Sequence, residues 1–510
     1  MGETIMPKVR LTSAQQIKVG AILSYLSIIL NIGAGIVYTP WMIHQIGQGQ
    51  YGLFTLANSL ISLFMIDFGL SAATSKYVSE YHVKNQEEKI NNFLGIIYKL
   101  YFFVDLIILV TLVILYFFID VIYINLSIEE LIQFKVVYCI AALYSVLSFP
   151  FITTNGILTA YEKFVQLKLA DVFYRILIII FTVIALINGM GLYALVTINA
   201  IVGLLIIVYK LIVIKSTTSV KINFKYHDRK IYSEVFGFSV WTTIASLAQR
   251  LIFNITPSIL GMVSSATEIA VFGIVTTIES YAFIITNAIN GMFMPKISRI
   301  YAEEEKSDGI MKLMLKVGRF QFALNGIIVA GFLVLGKNFI LLWMGEAYLS
   351  AYYGIALVLI PGLFYNPMEI AHTAMVVRNK VKKQAQVNIV MGIINVILSY
   401  NLSKNFGVVG ACVAICVAYL FRTISLIVIY KKELSLNMTY FIKKCYIKNI
   451  PIIMITVLMG NLIKQKISMM GWLGVFINAV ILIGIYLCLL IVFGTNRMEK
   501  HKIKNIFVHK

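Results

Sequence analysis

The chain of 510 residues is 60% hydrophobic, has a mean hydropathy of +0.87 and contains only 13% charged residues. Soluble globular proteins carry roughly 25% charged residues, so this composition excludes a soluble fold. The net charge of +20 does not indicate a nucleic-acid-binding domain, because the basic residues lie between apolar runs and form no basic domain of their own.

The apolar residues come in runs of about 20, the length that an α-helix needs to cross roughly 30 Å of hydrocarbon. The runs are continuous and lack the two-residue alternation of membrane-barrel strands. They predict an all-α, polytopic membrane protein with about 14 transmembrane helices. In chain order, the predicted helices cover 18–40, 51–74, 96–119, 136–160, 171–187, 192–214, 236–261, 269–295, 320–341, 354–377, 387–403, 408–430, 445–463 and 473–493.

The distribution of lysine and arginine predicts the orientation of the chain, because short cytoplasmic loops carry an excess of these residues. Most of the 43 basic residues lie in the two tails and in the loops at 75–95, 161–170, 215–235, 296–319, 378–386 and 431–444. The alternate loops hold only Lys135, Lys337, Lys404, Lys464 and Lys466. We therefore predict that both termini are cytoplasmic.

An internal repeat divides the predicted helices into two lobes of six. The matched pairs, at offsets of 217 to 220, are Lys76 with Lys296, Tyr81 with Tyr301, Pro150 with Pro367, Lys163 with Lys380, and Asp171 with Asn388. Because six is an even number, the two six-helix lobes are predicted to be parallel repeats. This arrangement favours a transporter that rocks about a central cavity over a channel, which is more often built from identical subunits.

The repeat also predicts how the chain is divided. An N-terminal lobe covers 1–214, a cytoplasmic linker covers 215–235, and a C-terminal lobe covers 236–430. The two C-terminal helices, thirteen and fourteen, lie outside the repeat and occupy 431–510 together with a basic tail. Because helix thirteen is short and Lys464 and Lys466 follow it, twelve spans plus a peripheral hairpin is an alternative.

A stretch near the start of the chain is distinctive. It ends a helix with a proline, continues through a short glycine-containing loop to Tyr-Gly, and then reads Asp-Phe-Gly-Leu. In order, the residues are Ile36-Val37-Tyr38-Thr39-Pro40, Ile46-Gly47-Gln48-Gly49-Gln50-Tyr51-Gly52-Leu53, Asp67-Phe68-Gly69-Leu70-Ser71 and Lys76-Tyr77. This pattern resembles the oligosaccharide flippases of the polysaccharide-export family, which share a superfamily with lipid II flippases and multidrug extruders.

The resemblance implies a transporter and not an enzyme. Such a protein would move undecaprenyl-pyrophosphate-linked sugar repeat units across the bacterial inner membrane by alternating access, for O-antigen, capsule or exopolysaccharide. It implies a lipid-linked oligosaccharide as substrate and H⁺ or Na⁺ as coupling ion. Other expected partners are membrane lipids, a polysaccharide polymerase and a chain-length regulator. We expect no cofactor, no metal site and no nucleic acid.

Two other functional classes are alternatives to the flippase. A cation-coupled multidrug-type exporter could use the same fold. A membrane glycosyltransferase or polymerase would need a large outer loop with catalytic carboxylates, and the predicted outer loops are short. The extruder of cationic drugs would favour carboxylates at depth, whereas a pyrophosphate needs cations, and this chain offers both.

Arg250 is the clearest candidate for contact with a substrate. An ionised group at bilayer depth costs about 2.5–3.5 kcal/mol on insertion scales and usually faces a cavity. Arg250 shares one face of predicted helix seven with Ser246, Gln249 and Asn254. Two roles remain open. The guanidinium could bind the pyrophosphate, or it could form an ion pair with Glu279.

Further polar groups in the predicted spans extend this set of candidates. Helix one carries Ser27 and Asn31, with Lys18 at its inner end, and its polar face is predicted to meet that of helix seven across a central cleft. Arg175 and Arg422 lie near the inner ends of predicted helices, where they either snorkel or form a cationic entrance. The candidates for the coupling ion are Asp67, Asp105, Glu279, Glu369 and His372. Asp67 could instead only cap and bend its helix, and Glu369 with His372 could be a structural pair.

Overall fold

The structure, a computed structural model, describes residues 13–65, 67–232, 243, 247–248, 250–287, 293–302, 306–378, 380–466 and 471–494. Within these ranges the chain forms helices joined by short turns, without β-strands. Eleven of the described helical segments are long and apolar enough to cross a membrane. The all-α polytopic fold is confirmed, while the count of 14 spans stays a prediction because 236–242, 244–246 and 249 of predicted helix seven lie outside the described residues.

The chain divides into two compact units, Met1–Leu247 and Ala248–Lys510. The first unit contains α1 (Ser13–Ile46), α2 (Gln48–Phe64), α3 (Leu70–Val83), α4 (Glu87–Ile122), α5 (Ile128–Ser148), a 3₁₀ turn (Phe149–Ile152), α6 (Thr153–Ala160), α7 (Phe164–Ile187) and α8 (Leu192–Thr217). The finer division into two lobes, a linker and a terminal pair stays a prediction.

Helix pairing in the first unit depends on small residues where helices approach closely. Helix α6 packs on α3, and a Cβ at Gly156 would meet the Ser71 carbonyl oxygen at 2.6 Å. Helix α1 packs along α7, and α2 along α5. In a membrane such packing replaces the hydrophobic effect as the main source of helix association.

The segment after α8 is docked on the first turns of α4. The Asn223 backbone N–H donates to the Asn91 carbonyl oxygen (3.1 Å), and the Lys221 N–H donates to Asn91 Oδ1 (2.7 Å). Lys99 Nζ donates to the Tyr226 carbonyl oxygen at 2.9 Å. The Asn223 carbonyl lies against Gly95, where any Cβ would collide with it. This part of the predicted linker is therefore fixed to the first unit.

The described part of the second unit is also built from helices. It contains α9 (Thr256–Val263), α10 (Ala266–Asn287), α11 (Met294–Ala302), α12 (Lys306–Met344), α13 (Ser350–Tyr365), a 3₁₀ turn (Asn366–Met368), α14 (Glu369–Val377), α15 (Val381–Glu433), α16 (Met438–Phe441), a π-helical segment (Ile442–Ile447), α17 (Ile450–Lys466) and α18 (Gly471–Leu489).

Helix α15 contains two antiparallel halves that meet at Gly407. This glycine has φ +52°, which breaks the helical path. The second half begins at Val408, whose N–H donates to Glu268 Oε2 on α10 at 2.6 Å. Glu268 therefore caps the new helix start, and its carboxylate leaves no room for a Cβ at residue 407.

The terminal pair α17 and α18 packs against α12 within the second unit. Tyr486 Oη donates to the Ala323 carbonyl oxygen (2.9 Å) and Lys464 Nζ to the Val334 carbonyl oxygen (3.0 Å). Met438–Gln465 and Gly471–Gly494 are both of spanning length. That helices thirteen and fourteen are full spans and not a peripheral hairpin stays a prediction.

Two helices differ from the sequence prediction in ways that matter for the site. Predicted helix two (51–74) is interrupted between Phe64 and Leu70, where Phe68 and Gly69 have φ of +51° and +68°. Predicted helix five (171–187) begins earlier, at Phe164. Arg175 therefore lies about 16 Å along this helix at 1.5 Å per residue, and not near its end as the sequence suggested.

Candidate functional site

Asp67 lies in the break between α2 and α3. Its two carboxylate oxygens accept the Ser71 N–H at 3.2 and 3.3 Å, and Tyr101 Oη on α4 donates to Oδ1 at 2.5 Å. Because Ser71 is in the first turn of α3, these bonds cap that helix. The sequence left open whether Asp67 binds an ion or caps a helix. The geometry provides the hydrogen-bond donors that a helix cap requires. An ion-binding role for Asp67 stays a proposal.

Asp105 follows Tyr101 by one turn of α4 and is only 8% exposed. Its Oδ1 atom is buried and accepts no hydrogen bond from the described residues. A buried carboxylate oxygen without a donor is uncommon and costly, so such a group calls for a ligand or a proton. Of the two acidic candidates in the first unit, Asp105 has fewer hydrogen-bond partners than Asp67 among the described residues.

Arg175 joins α7 to α1 in the first unit. Its Nη2 donates to the Asn31 carbonyl oxygen at 3.5 Å, and its buried Nε has no acceptor among the described residues. Ser27 lies one turn before Asn31, and both are half-buried. The structure therefore brings Arg175 and Asn31 together, which the sequence did not predict. Lys18 lies near the start of α1.

Polar contacts between α6, α7 and α8 were not anticipated from the sequence. Lys210 Nζ on α8 donates to Asn155 Oδ1 at 3.0 Å, and Lys168 pairs with Asp171 at 3.1 Å. Lys210 also interacts electrostatically with Asp171 and Lys168. The feature of the sequence that indicates this polar group is Lys210, a lysine inside an otherwise apolar span.

Arg422 is the centre of a polar cluster in the second unit. Its Nε donates to Asn388 Oδ1 at 3.0 Å, which joins the two halves of α15. Its guanidinium carbon lies 5.5 Å from the ring centroid of Tyr365 and 5.9 Å from that of Tyr419. These rings stack on each other at 5.2 Å. Aromatic faces stabilise a cation in a medium of low dielectric constant without neutralising it.

Three titratable candidates lie near this arginine or its two tyrosines. Arg422 interacts electrostatically with Glu369 and His372, and Glu279 does so with Tyr365 and Tyr419. Glu369 and His372 share a face of α14 but are not hydrogen-bonded to each other, and His372 Nδ1 is buried without a partner among the described residues. The cluster is thus more extensive than the pair that the sequence suggested, and Tyr365, Tyr419 and Asn388 were missed.

Arg250 and Asn254 are half-buried at the start of the described part of predicted helix seven, where the Asn254 N–H donates to the Arg250 carbonyl oxygen at 3.1 Å. The ion pair between Arg250 and Glu279 stays a prediction. Ser246 and Gln249 lie outside the described residues. The proposed meeting of this stripe with that of helix one stays a prediction.

The arginines of the two units share a property. Each lies inside a spanning helix and donates to an uncharged oxygen, Arg175 to a carbonyl and Arg422 to an amide. Neither takes part in any ion pair formed by the described residues. A guanidinium has five N–H donors, so both keep donors that a bound anion could use.

These features define a polytopic helical membrane protein with cationic and acidic groups inside its spans. The family described as polysaccharide biosynthesis protein matches residues 17–301, more than half of the chain, and the chain belongs to this family. A comparison with curated protein sequences finds no match.

Solved structures share the fold at low sequence identity. The lipid II flippase MurJ in an inward closed conformation matches with a TM-score of 0.71 and 16% identity, over 93% of this chain and 98% of that one. A multidrug resistance MATE family transporter of the MOP superfamily, inward-facing, matches with 0.68 and 12%, over 83% and 98%. A MOP superfamily transporter from Pyrococcus furiosus matches with 0.59 and 14%, over 85% and 99%.

Proposed function

We propose that this protein is a flippase that moves pyrophosphate-linked oligosaccharide repeat units on a polyprenyl lipid across the bacterial inner membrane. Its termini would be cytoplasmic, and the products would serve O-antigen, capsule or exopolysaccharide synthesis. The family membership supports a role in polysaccharide biosynthesis, and the fold shared with a lipid II flippase supports a lipid-linked substrate. The protein would translocate the substrate across the membrane by alternating access.

One observation carries the proposal, namely that Arg175 and Arg422 lie in spanning helices and form no contact salt bridge among the described residues, Glu369 acting on Arg422 only at longer range. Holding a guanidinium away from water without a counter-ion in direct contact is costly, and a ligand anion would offset that cost. A pyrophosphate matches the planar donor fork of arginine and remains ionised throughout transport. Arg175, Arg422 and Arg250 would contact it in turn, supported by Asn31, Ser27, Lys18, Ser246, Gln249 and Asn254.

The coupling ion would bind at the acidic groups in the spans. Asp105 in the first unit, and Glu279, Glu369 and His372 in the second, are the groups we assign to H⁺ or Na⁺. Asp105 has an unsatisfied buried oxygen, and His372 has an unsatisfied ring nitrogen among the described residues. A proton or cation arriving at either unit would satisfy these atoms in one transport state.

The test is the surface polysaccharide of cells that depend on this protein. We expect Arg175→Ala, Arg250→Ala and Arg422→Ala each to lower the output by about tenfold or more, because a hydrogen bond to a charged group contributes about 1.5–3 kcal/mol. Lysine at these positions should restore the output only in part, since it lacks the planar fork. Arg229→Ala, on the exposed linker, is the matched control and should retain full output.

Full polysaccharide output from a variant lacking both Arg175 and Arg422, at normal membrane levels, would exclude their role.

A second candidate function is a cation-coupled exporter of small cationic molecules. The buried, unpartnered Asp105 Oδ1 favours it, because a carboxylate at that depth attracts a cationic substrate. In that case Asp105→Asn would abolish drug resistance, and the arginine variants would not change it.

A further inference from the structure

A dense group of cations lies where three helix ends of the second unit meet. Lys380 Nζ donates to Glu433 Oε2 at 2.7 Å, and Lys383 pairs with Glu433 Oε1. Arg378 Nη1 donates to the Glu433 carbonyl oxygen at 3.0 Å. The end of α14, the start of α15 and the end of α15 are thus fixed together around one glutamate.

The segments 378–383 and 431–447 carry many more cations than carboxylates. We call their cationic side chains the basic surface, and define it as Arg378, Lys380, Lys382, Lys383, Lys431, Lys432, Lys443 and Lys444. Glu433 is the one carboxylate in the segments 378–383 and 431–447. All of these cations except Lys380 are exposed. The positive end of the α15 dipole lies at Lys382 and Lys383 and adds to the repulsion there, whereas Lys431 and Lys432 lie at its negative end. The excess of cations makes the surface favour anions.

The neighbouring residues indicate that the basic surface lies at the boundary between membrane and water. In the segment 438–447, Phe441, Cys445 and Tyr446 are buried against the unit. Tyr440 is 45% exposed and Ile447 58% exposed, beside the exposed Lys443 and Lys444. Exposed aromatic and apolar groups mixed with lysines are typical of helices that lie in the headgroup region.

One cation of the surface has its position fixed by a ring. The Arg378 guanidinium carbon lies 5.6 Å from the ring centroid of Tyr301 on α11. With one N–H already donated to the Glu433 carbonyl, the rest of the fork is oriented and still has donors. An oriented guanidinium next to several lysines is well suited to phosphate oxygens.

We propose that the basic surface binds the phosphate headgroups of anionic phospholipids in the leaflet next to it. The anions within reach of a surface at this boundary are lipid headgroups, and several singly charged headgroups can distribute themselves over lysines that span two helix ends and the segment 438–447. Bound headgroups relieve the repulsion among the cations and tether the α14–α15 turn to the membrane surface. The site is separate from Arg175, Arg250 and Arg422 and does not depend on what is transported.

The experiment uses the purified full-length protein in lipid nanodiscs. The midpoint of thermal unfolding is compared between discs of phosphatidylcholine alone and discs containing one-third phosphatidylglycerol. We expect the anionic lipid to raise the midpoint, and we expect added salt to reduce this shift. A variant with Lys431→Gln, Lys432→Gln, Lys443→Gln and Lys444→Gln should lose more than half of the shift. Its midpoint in phosphatidylcholine should equal or slightly exceed that of the parent, because these side chains are exposed and their loss reduces the repulsion among the remaining cations.

A matched control removes the same number of cations from the linker of the first unit, as Lys221→Gln, Lys225→Gln, Arg229→Gln and Lys230→Gln. That segment lies beside acidic groups, since Ser219 bonds to Glu87 and Tyr226 bonds to Asp228. The control should keep most of the shift. Equal shifts in parent and basic-surface variant, or an equal loss in the control, would contradict the proposal.

A last arm separates the two lipid sources of phosphate. Farnesyl diphosphate is added to phosphatidylcholine discs in place of phosphatidylglycerol. If it raises the midpoint through the same four lysines while phosphatidylglycerol does not, the surface recognises a lipid diphosphate and our assignment is wrong. If only phosphatidylglycerol acts through them, the assignment stands, whatever the arginine variants show for transport.

Discussion

At the scale of single residues, Asp67 is held by three hydrogen bonds that both cap α3 and tie it to α4. Asp67→Ala would leave the fully buried Tyr101 hydroxyl without this acceptor and uncap α3, at a cost of about 2–4 kcal/mol together. Asp67→Asn keeps an acceptor oxygen and should cost less than half of that. Thermal unfolding in detergent measures both.

The same pair of variants separates the structural role of Asp67 from an ion-binding role. If the residue only caps the helix, the asparagine variant should support normal polysaccharide output. An asparagine variant that is as stable as the parent yet inactive would show instead that Asp67 carries the coupling ion.

Asp105 is expected to behave in the opposite way. Its Oδ1 lacks a donor among the described residues, so replacing the carboxylate with the neutral amide of asparagine removes the cost of burying a charge. We expect Asp105→Asn to leave thermal stability unchanged or higher, and to abolish transport driven by a proton or sodium gradient. Transport by reconstituted protein, measured with and without each gradient, tests this. Unchanged gradient-driven transport in the variant would remove Asp105 from the coupling site.

At the scale of elements, Gly95 determines how the segment after α8 docks on α4. A methyl group there would overlap the Asn223 carbonyl, and overpacking against backbone costs about 1–3 kcal/mol, more than the gain of up to about 1 kcal/mol from alanine in a helix. We therefore expect Gly95→Ala to lower the midpoint of thermal unfolding and to expose 218–232 to protease.

Gly33→Ala is the matched control for this prediction. It changes a helical glycine of the same unit that has nothing within 4 Å of the added methyl. This variant should be neutral or slightly stabilising. If Gly95→Ala and Gly33→Ala behave alike, the docking of the segment on α4 does not depend on this close approach.

The sequence predicted the helices well, because a bilayer requires apolar runs of spanning length and such runs are visible in the sequence. It predicted the breaks within helices poorly. The apolar run at 51–74 is continuous in composition, whereas Phe68 and Gly69 turn the backbone out of the helix. The matched prolines did mark equivalent places: Pro150 and Pro367 both lie in 3₁₀ turns, and Lys163 and Lys380 both precede a long helix.

The candidate site was predicted only in part, because a stripe on one helix does not show which helix faces it. Arg175 and Arg422 were candidates placed near the inner ends of predicted helices, but their supports are non-local. Asn31 lies 144 positions from Arg175, and Asn388 lies 34 positions from Arg422. The aromatic pair at Arg422 comes from two helices that no sequence period connects. Side-chain partners of this kind follow from tertiary packing.

At the scale of the whole molecule, the family links the chain to polysaccharide biosynthesis, and the solved structures establish its fold. The chain belongs to the polysaccharide biosynthesis family and shares its fold with both a flippase and multidrug transporters. These relatives are less than 20% identical to it, so they define the architecture, and the groups inside the spans must decide between an anionic and a cationic substrate.

The most direct test is translocation of a lipid-linked oligosaccharide by the purified protein in proteoliposomes. The substrate is loaded on one side, and the fraction of its glycan that becomes accessible to a membrane-impermeant glycosidase on the other side is measured. Our account predicts time-dependent translocation by the parent protein and by Arg229→Ala, and little by the variant lacking Arg175 and Arg422. Export of a cationic dye driven by an ion gradient would show that the parent protein is active in these vesicles. If the active parent does not translocate the lipid-linked oligosaccharide, the account is contradicted.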